Sequence, residues 1–133
     1  MDFFYSDLHI HSRYSRATSK SLSIRQLAAW AALKGIEVLA TGDFTHPQWL
    51  DEIGEHLVQG DNGLFKLKKP AGLDREISWM RGEHLPAKTQ FMLCTEISSI
   101  YKYRGVVRKI HNLVFMPDIE KATLFNQRLA QVG

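Results

Sequence analysis

Cysteine is almost missing from this chain of 133 residues: Cys94 stands alone, so neither an intrachain disulfide nor a cysteine-rich zinc module can form. Long apolar runs are missing too. The longest, Leu27 to Leu33, has seven residues, whereas a bilayer-spanning helix needs about 20. Phe3, Phe4 and Tyr5 are flanked by Asp2 and Asp7, and no apolar stretch follows that would make a secretory leader. The chain is therefore expected in the cytoplasm, away from membranes. No repeat, low-complexity tract or Pro/Gly-rich linker divides it, so residues 1–133 are read as a single domain.

Acids are absent from two stretches. Between Leu8 and Ile36 lie Arg13, Arg16, Lys20, Arg25 and Lys34 with no carboxylate, and between Ile97 and Pro117 lie Lys102, Arg104, Arg108 and Lys109, again with none. The net charge of +3 is small. Its clustering is what matters, because two positive segments that meet in a fold make a surface suited to phosphate, while two that do not are ordinary solvated faces. What is present is otherwise that of a soluble globular domain, 44% hydrophobic and 23% charged.

Phe3 to His11 alternates with period two, placing Tyr5, Asp7, His9 and His11 on one face. This predicts a strand. Ser23 followed by Gln26 has capping-box spacing, and Gly35 stands where a C-terminal cap belongs, which predicts a helix over Ile24 to Lys34. Ile36 to Thr41 is short, apolar and β-branched, so the opening reads as βαβ with parallel strands. Gln48 to Leu57 predicts a short helix, and Val58 to Gln90, broken by Gly60, Gly63, Pro70, Gly72, Gly82 and Pro86, an irregular insertion with a helical turn near Glu76 to Met80. Phe91 to Ser98 and Val106 to Met116 predict two strands joined by an excursion through Tyr101, Tyr103 and Gly105. Asp118 then caps a helix over Ile119 to Val132, with Gly133 at its end. Trp30 is expected in the core.

The chemistry starts with His9 and His11. Two apart on a strand, their imidazoles point the same way and reach one cation. Asp43 and His46 follow the second predicted strand, Glu96 lies near the end of the third and His111 within the fourth. In β/α architectures the carboxyl ends of parallel strands gather side chains into one mouth. Imidazole and carboxylate together suit zinc, manganese or iron, and Glu96, an acid in an apolar strand, suits a bridge between two or more ions.

Four motifs carry a resemblance: D-L-H-I-H-S at Asp7 to Ser12, T-G-D-F-T-H-P at Thr41 to Pro47, C-T-E-I-S at Cys94 to Ser98 and K-I-H-N-L-V at Lys109 to Val114. They are similar, in order, to the motifs of the PHP (polymerase and histidinol phosphatase) metal-dependent phosphoesterases. S-R-Y-S-R-A-T-S-K and G-D-F-T-H-P-Q-W-L resemble the branch of that family that contains endonuclease Q, a DNA-repair activity, and proteins labelled helicase-like.

The resemblance implies an α/β fold: part of a PHP-type (β/α)7 barrel, roughly its first four strands with intervening helices. It implies that His9, His11, Glu96 and His111 hold metal, and that Asp43, in the second motif, serves as ligand and catalytic residue. That motif places histidine directly after the aspartate; here Phe44 stands there, and His46, two residues on, is expected to substitute as a metal ligand. Where the family has a further ligand after the first histidine pair, this chain has Thr18. The implied cofactors are two or three divalent ions, zinc or manganese, with iron or magnesium as further options.

The family's last motifs, a late histidine and an Asp-x-His pair, have no counterpart before Gly133, so the chain is expected to be the front portion of a longer enzyme or an incomplete one. Its open sheet edge would then be covered by self-association or a second chain. With those motifs supplied, a phosphodiester hydrolase acting on DNA is implied. The alternatives are a fragment that binds metal, nucleic acid or a partner without turnover, and a phosphatase of small monoesters. Arg13, Arg16 and Lys20 on one side, and Lys102, Arg104, Arg108 and Lys109 on the other, are candidates to grip phosphates, with Tyr101 and Tyr103 either packing on a hairpin or stacking on an unpaired base.

Overall fold

The computed structural model describes residues 3–16 and 18–132; Gly133, expected to end the last helix, lies outside the described residues. Helix α1 spans Ile24–Lys34. Ser23 accepts the Gln26 backbone N–H at 3.1 Å, and Gly35 closes the helix at φ 71°, as the capping signals predict. The box is only half made, because the Gln26 side chain donates to the Glu76 carbonyl at 3.1 Å instead of turning back to its own helix. Ile24, Leu27, Ala28 and Ala31, spaced one helical turn apart, are buried.

Strands β1 (Ser6–Asp7) and β2 (Val38–Ala40) flank α1 and pair in parallel. β1 is far shorter than the period-two pattern of Phe3 to His11 predicts. Its partner β2 ends after three residues, where Gly42 (φ 64°) and Asp43 (φ 46°) turn the chain away and leave nothing to pair with. His9 and His11 therefore stand on irregular backbone beyond the strand.

Helix α2 (Pro47–His56) begins on Pro47, whose missing N–H costs nothing in a first turn. It is followed by strands β3 (Leu57–Gln59) and β4 (Phe65–Leu67), an antiparallel hairpin inside the stretch expected to be irregular. Leu57, Phe65 and Leu67 face the core while Val58 and Lys66 face out. Two 3-10 turns, Leu73–Glu76 and Ser78–Met80, cover the predicted helical turn.

Strand β5 (Gln90–Tyr103) runs parallel to β2 and antiparallel to β4, which gives the sheet order β1-β2-β5-β4-β3. Strand β6 (Val106–Met116) pairs antiparallel with β5 from Leu93↔Met116 to Tyr103↔Val106, the sixth strand of the sheet. The excursion through Tyr101 and Tyr103 is thus part of the ladder. The turn is only Arg104 (φ 49°) and Gly105 (φ 77°), the two-residue geometry that joins antiparallel strands. So short a link cannot carry a parallel crossover, and the expectation of successive β/α units is corrected here to a mixed sheet. Helix α3 (Ile119–Val132) starts where Asp118 accepts the Lys121 N–H at 2.7 Å.

The core lies between this sheet and α1 and α2, with Trp49, Phe44, Phe91 and Ile53 fully buried. Trp30 is not with them: it is 37% exposed and meets Trp79 edge to face. Among the described residues no helix is long and apolar enough to cross a membrane.

Candidate metal centre

Glu96 sits where β5 leaves the core: Leu93, Cys94 and Thr95 before it are buried, and every residue from Ser98 to Leu113 is exposed. Its carboxylate draws in three histidines from distant parts of the chain. His9 Nε2 lies 2.7 Å and His11 Nε2 3.3 Å from Oε2, while His111 Nδ1 meets Oε1. The His9, His11 and Glu96 donor atoms all lie within 4.8 Å of one another. Cations bound to nitrogen and oxygen at about 2.0–2.2 Å need donors gathered about this closely. Two imidazoles on one carboxylate oxygen and a third on the other fit the use of Glu96 as a bridge. The donor set thus fits a borderline divalent ion.

This clustering holds Glu96 ionised. Hydrogen bonds from His111 first and His9 second lower its pKa from 4.5 to about 2, against the opposing effect of desolvation. Cys94, two residues before Glu96 on β5, is buried. Burial first, then the Asp43 and Glu96 charges, push its thiol up to about 11.

Asp43 stands behind His11. Its Oδ1 lies 3.0 Å from His11 Nδ1, and its Oδ2 accepts from the Ser12 N–H and hydroxyl, both at 2.7 Å. With Nδ1 on a carboxylate, His11 turns Nε2 toward Glu96, the outer-shell arrangement that fixes the tautomer of a ligating histidine. Gly42 makes this approach possible: a Cβ there would lie 2.4 Å from the Ile10 carbonyl oxygen. The positive φ at Asp43 is one that aspartate tolerates better than most residues. Trp49 locks the same turn from below, its Nε1–H reaching the Thr41 and Gly42 carbonyls at 3.1 and 2.9 Å.

The remaining predicted residues are less gathered. His46 stays out of the cluster, because its ring stacks on Tyr14 at 4.3 Å and its Nδ1 is buried without a hydrogen-bond partner. It shares a recess with His11, Tyr14, Ser15, Asp43 and Thr45. Phe44 is core, packed edge to face on Phe125. Thr18 closes its own loop, its hydroxyl donating to the Ser12 carbonyl at 2.6 Å.

Arg13, expected to grip phosphate, is committed to buried Glu52 at 2.5 Å, and Glu52 also accepts the Ile24 N–H at the start of α1. Burial works against the Arg13 charge, but the facing carboxylate outweighs it and its pKa rises. Arg16, Lys20, Lys102, Arg104, Arg108 and Lys109 are exposed. Ser12 and Gly42, not among the predicted site residues, support the placement of Asp43. The Gly-Asp pair after a strand was the available signal for the second.

No protein-family model matches the chain. A stretch of 50 residues, 38% of this chain, is 46% identical to an uncharacterized protein of Methanocaldococcus jannaschii, of which it covers 6%. Over 92% of its length the chain is similar in structure to the lesion-specific endonuclease PfuEndoQ from Pyrococcus furiosus, with a TM-score of 0.65 and 26% sequence identity. The match to an endonuclease Q complex, holding a 27-mer duplex with an abasic lesion at its active site, has the same score and identity. This chain spans 24% and 25% of those two chains. The mixed α/β domain described above thus has, as structural neighbours, one portion of a DNA lesion endonuclease.

Proposed function

We propose that this chain is a PHP-type domain that holds divalent metal on His9, His11, Glu96 and His111 and serves the hydrolysis of phosphodiester bonds in DNA. The observation that carries the reading is the convergence of three histidines, separated by up to about a hundred positions of sequence, on the two oxygens of Glu96. Similarity to a lesion-specific endonuclease supplies the substrate class. His9, His11, Glu96 and His111 would hold the cation, which would supply the charge that polarises a phosphoryl oxygen and acidifies water. The chain's own residues do the rest. Glu96 stays ionised well into acid and offers both oxygens, Asp43 orients His11, and the exposed imidazoles of His9 and His111 leave the site open to a bulky phosphodiester.

The test pairs metal content with nicking of a duplex containing an abasic site. Wild-type chain should carry zinc or manganese and nick in a chelator-sensitive way; His9→Ala with His11→Ala should lose both. Nicking unchanged in that double variant overturns the proposal.

A second reading, metal and DNA binding without turnover, draws on the placement of His46 against Tyr14, which keeps one expected donor away from the cluster of His9, His11 and Glu96. It predicts DNA binding by wild-type chain with no nicking at any metal loading.

A further inference from the structure

The β5–β6 register sorts the basic residues of the hairpin into two faces. Glu96 pairs opposite Leu113, Ser98 opposite His111, Ile100 opposite Lys109 and Lys102 opposite Val107. Side chains directly opposite share a face, and alternate residues return to it. One face therefore runs from Glu96 and His111 at its root to Lys109 and then Lys102. The other carries Ile97, Ser99, Tyr101 and Tyr103 against Asn112, Ile110, Arg108 and Val106. Arg104, in the turn, lies over the Tyr103 ring at 5.2 Å. The four cations, a single group in sequence, are two groups in space.

We propose that this hairpin is a DNA-tracking arm: its metal-side face lies along the phosphodiester strand leading away from the site, with Lys109 and Lys102 as successive phosphate contacts. The proposal rests on the reading of the site as a DNA phosphodiesterase and says which surface beyond it holds the substrate. Three observations carry it. The arm is exposed from Ser98 to Leu113, no acid occurs between Ile97 and Pro117, and the face in question is continuous with the metal cluster because His111 belongs to both.

The spacing also fits. At about 3.4 Å per strand residue, Lys109 stands about 7 Å beyond His111 and Lys102 about 20 Å beyond Glu96. Successive phosphates of one DNA strand, 3.4 Å or so apart in projection on the helix axis, lie about 7 Å apart along the winding strand itself, which puts the two lysines about one and about three nucleotides from the bond at the site. Ile100 and Val107, exposed on the same face, would lie against the intervening sugars.

Binding of a duplex with a central abasic site, measured across about 50 to 200 mM salt, tests this. Each phosphate contact removed should lower the slope of log K against log salt by about 0.9, so Lys102→Ala with Lys109→Ala should flatten it by about 2. Trimming the duplex on the arm's side to fewer than about three base pairs should erase the Lys102 share in the wild type while sparing that of Lys109. Arg104→Ala with Arg108→Ala should cause a smaller loss that does not depend on flank length. These positions are exposed, and matching circular dichroism excludes misfolding.

An unchanged slope in the lysine variant overturns the arm, as does a larger loss from the arginine pair, which would make the tyrosine face the interface. If the wild type nicks DNA and the lysine variant keeps its slope, the arm alone fails. If the lysine slope falls as expected and no metal restores nicking, the phosphodiesterase reading alone fails. Wild-type chain with no salt-dependent binding overturns both.

Discussion

Strand β5 belongs to two different regions. Its first half, Gln90 to Thr95, is pressed between β2 and β4 with Phe91 and Leu93 fully buried; its second half, from Ser98, has only β6 beside it and solvent around it. The base fixes positions and the arm extends them. Glu96 occupies the seam, where backbone held by the core first meets water, so its carboxylate is both placed and reachable. That difference explains why ligands from a loop (His9, His11) and from a free hairpin (His111) gather on a residue of the central strand.

The largest effect belongs to the base. Trp49→Ala removes a fully buried indole together with its two hydrogen bonds to the turn bearing Gly42 and Asp43. Removing a buried large aromatic side chain costs about 3–5 kcal/mol. A substitution outside the cluster should thus lower the melting temperature and also weaken metal binding by releasing Asp43 from His11, both measurable by calorimetry of chain with and without zinc. Retained zinc affinity in a destabilised Trp49→Ala chain would mean that the arm and the histidine loop assemble the site without the base.

At the seam the effect is smaller and depends on pH. Glu96 has a folded-state pKa of about 2 against 4.5, lowered chiefly by His111 and then by His9. A depressed carboxylate stabilises the fold above its unfolded pKa. Its contribution is therefore complete above pH 4.5 and lost as the pH falls from there through about 2. Urea unfolding of metal-free wild type and Glu96→Gln should show a stability gap at about pH 5 that closes as the pH falls from 4.5 toward about 2. A gap that instead stays constant down to pH 2 would place Glu96 outside the histidine cluster in solution.

How far this was legible varies with how local the cause is. The caps of α1 and α3, Ser23, Gly35 and Asp118, are read from neighbours in sequence and stand as predicted. The gathering of His9, His11, Glu96 and His111 was legible because short motifs keep their order. The extent of β1 was not, since it depends on where β2 turns at Gly42. The β3–β4 hairpin hid behind Gly60 and Gly63, which read as breakers although Phe65-Lys66-Leu67 alternates as a strand should. The Arg104–Gly105 turn lacks the Asn-Gly or Asp-Gly signal of such hairpins. No local pattern could pair Arg13 with Glu52, or Asp43 with Ser12, because those partners meet only through the packing of α1, α2 and the β2 turn.

The smallest effect belongs to the arm. Ile110 is exposed on the face away from the metal cluster, opposite Ser99, and Ile110→Thr keeps a β-branched residue in the ladder. A surface change of this kind moves stability by no more than about 0.5 kcal/mol. The expected melting temperature is therefore close to that of wild type, in contrast to Trp49→Ala. A loss approaching that of the buried tryptophan would show that something covers this face in solution. Because a two-stranded ribbon with both edges free invites pairing, the covering partner to test first is a second copy of the chain. The loss would then grow as the protein is diluted, since a dimer's stability is inseparable from its concentration. A small change that is the same at every concentration leaves the arm free, as a surface that tracks DNA has to be.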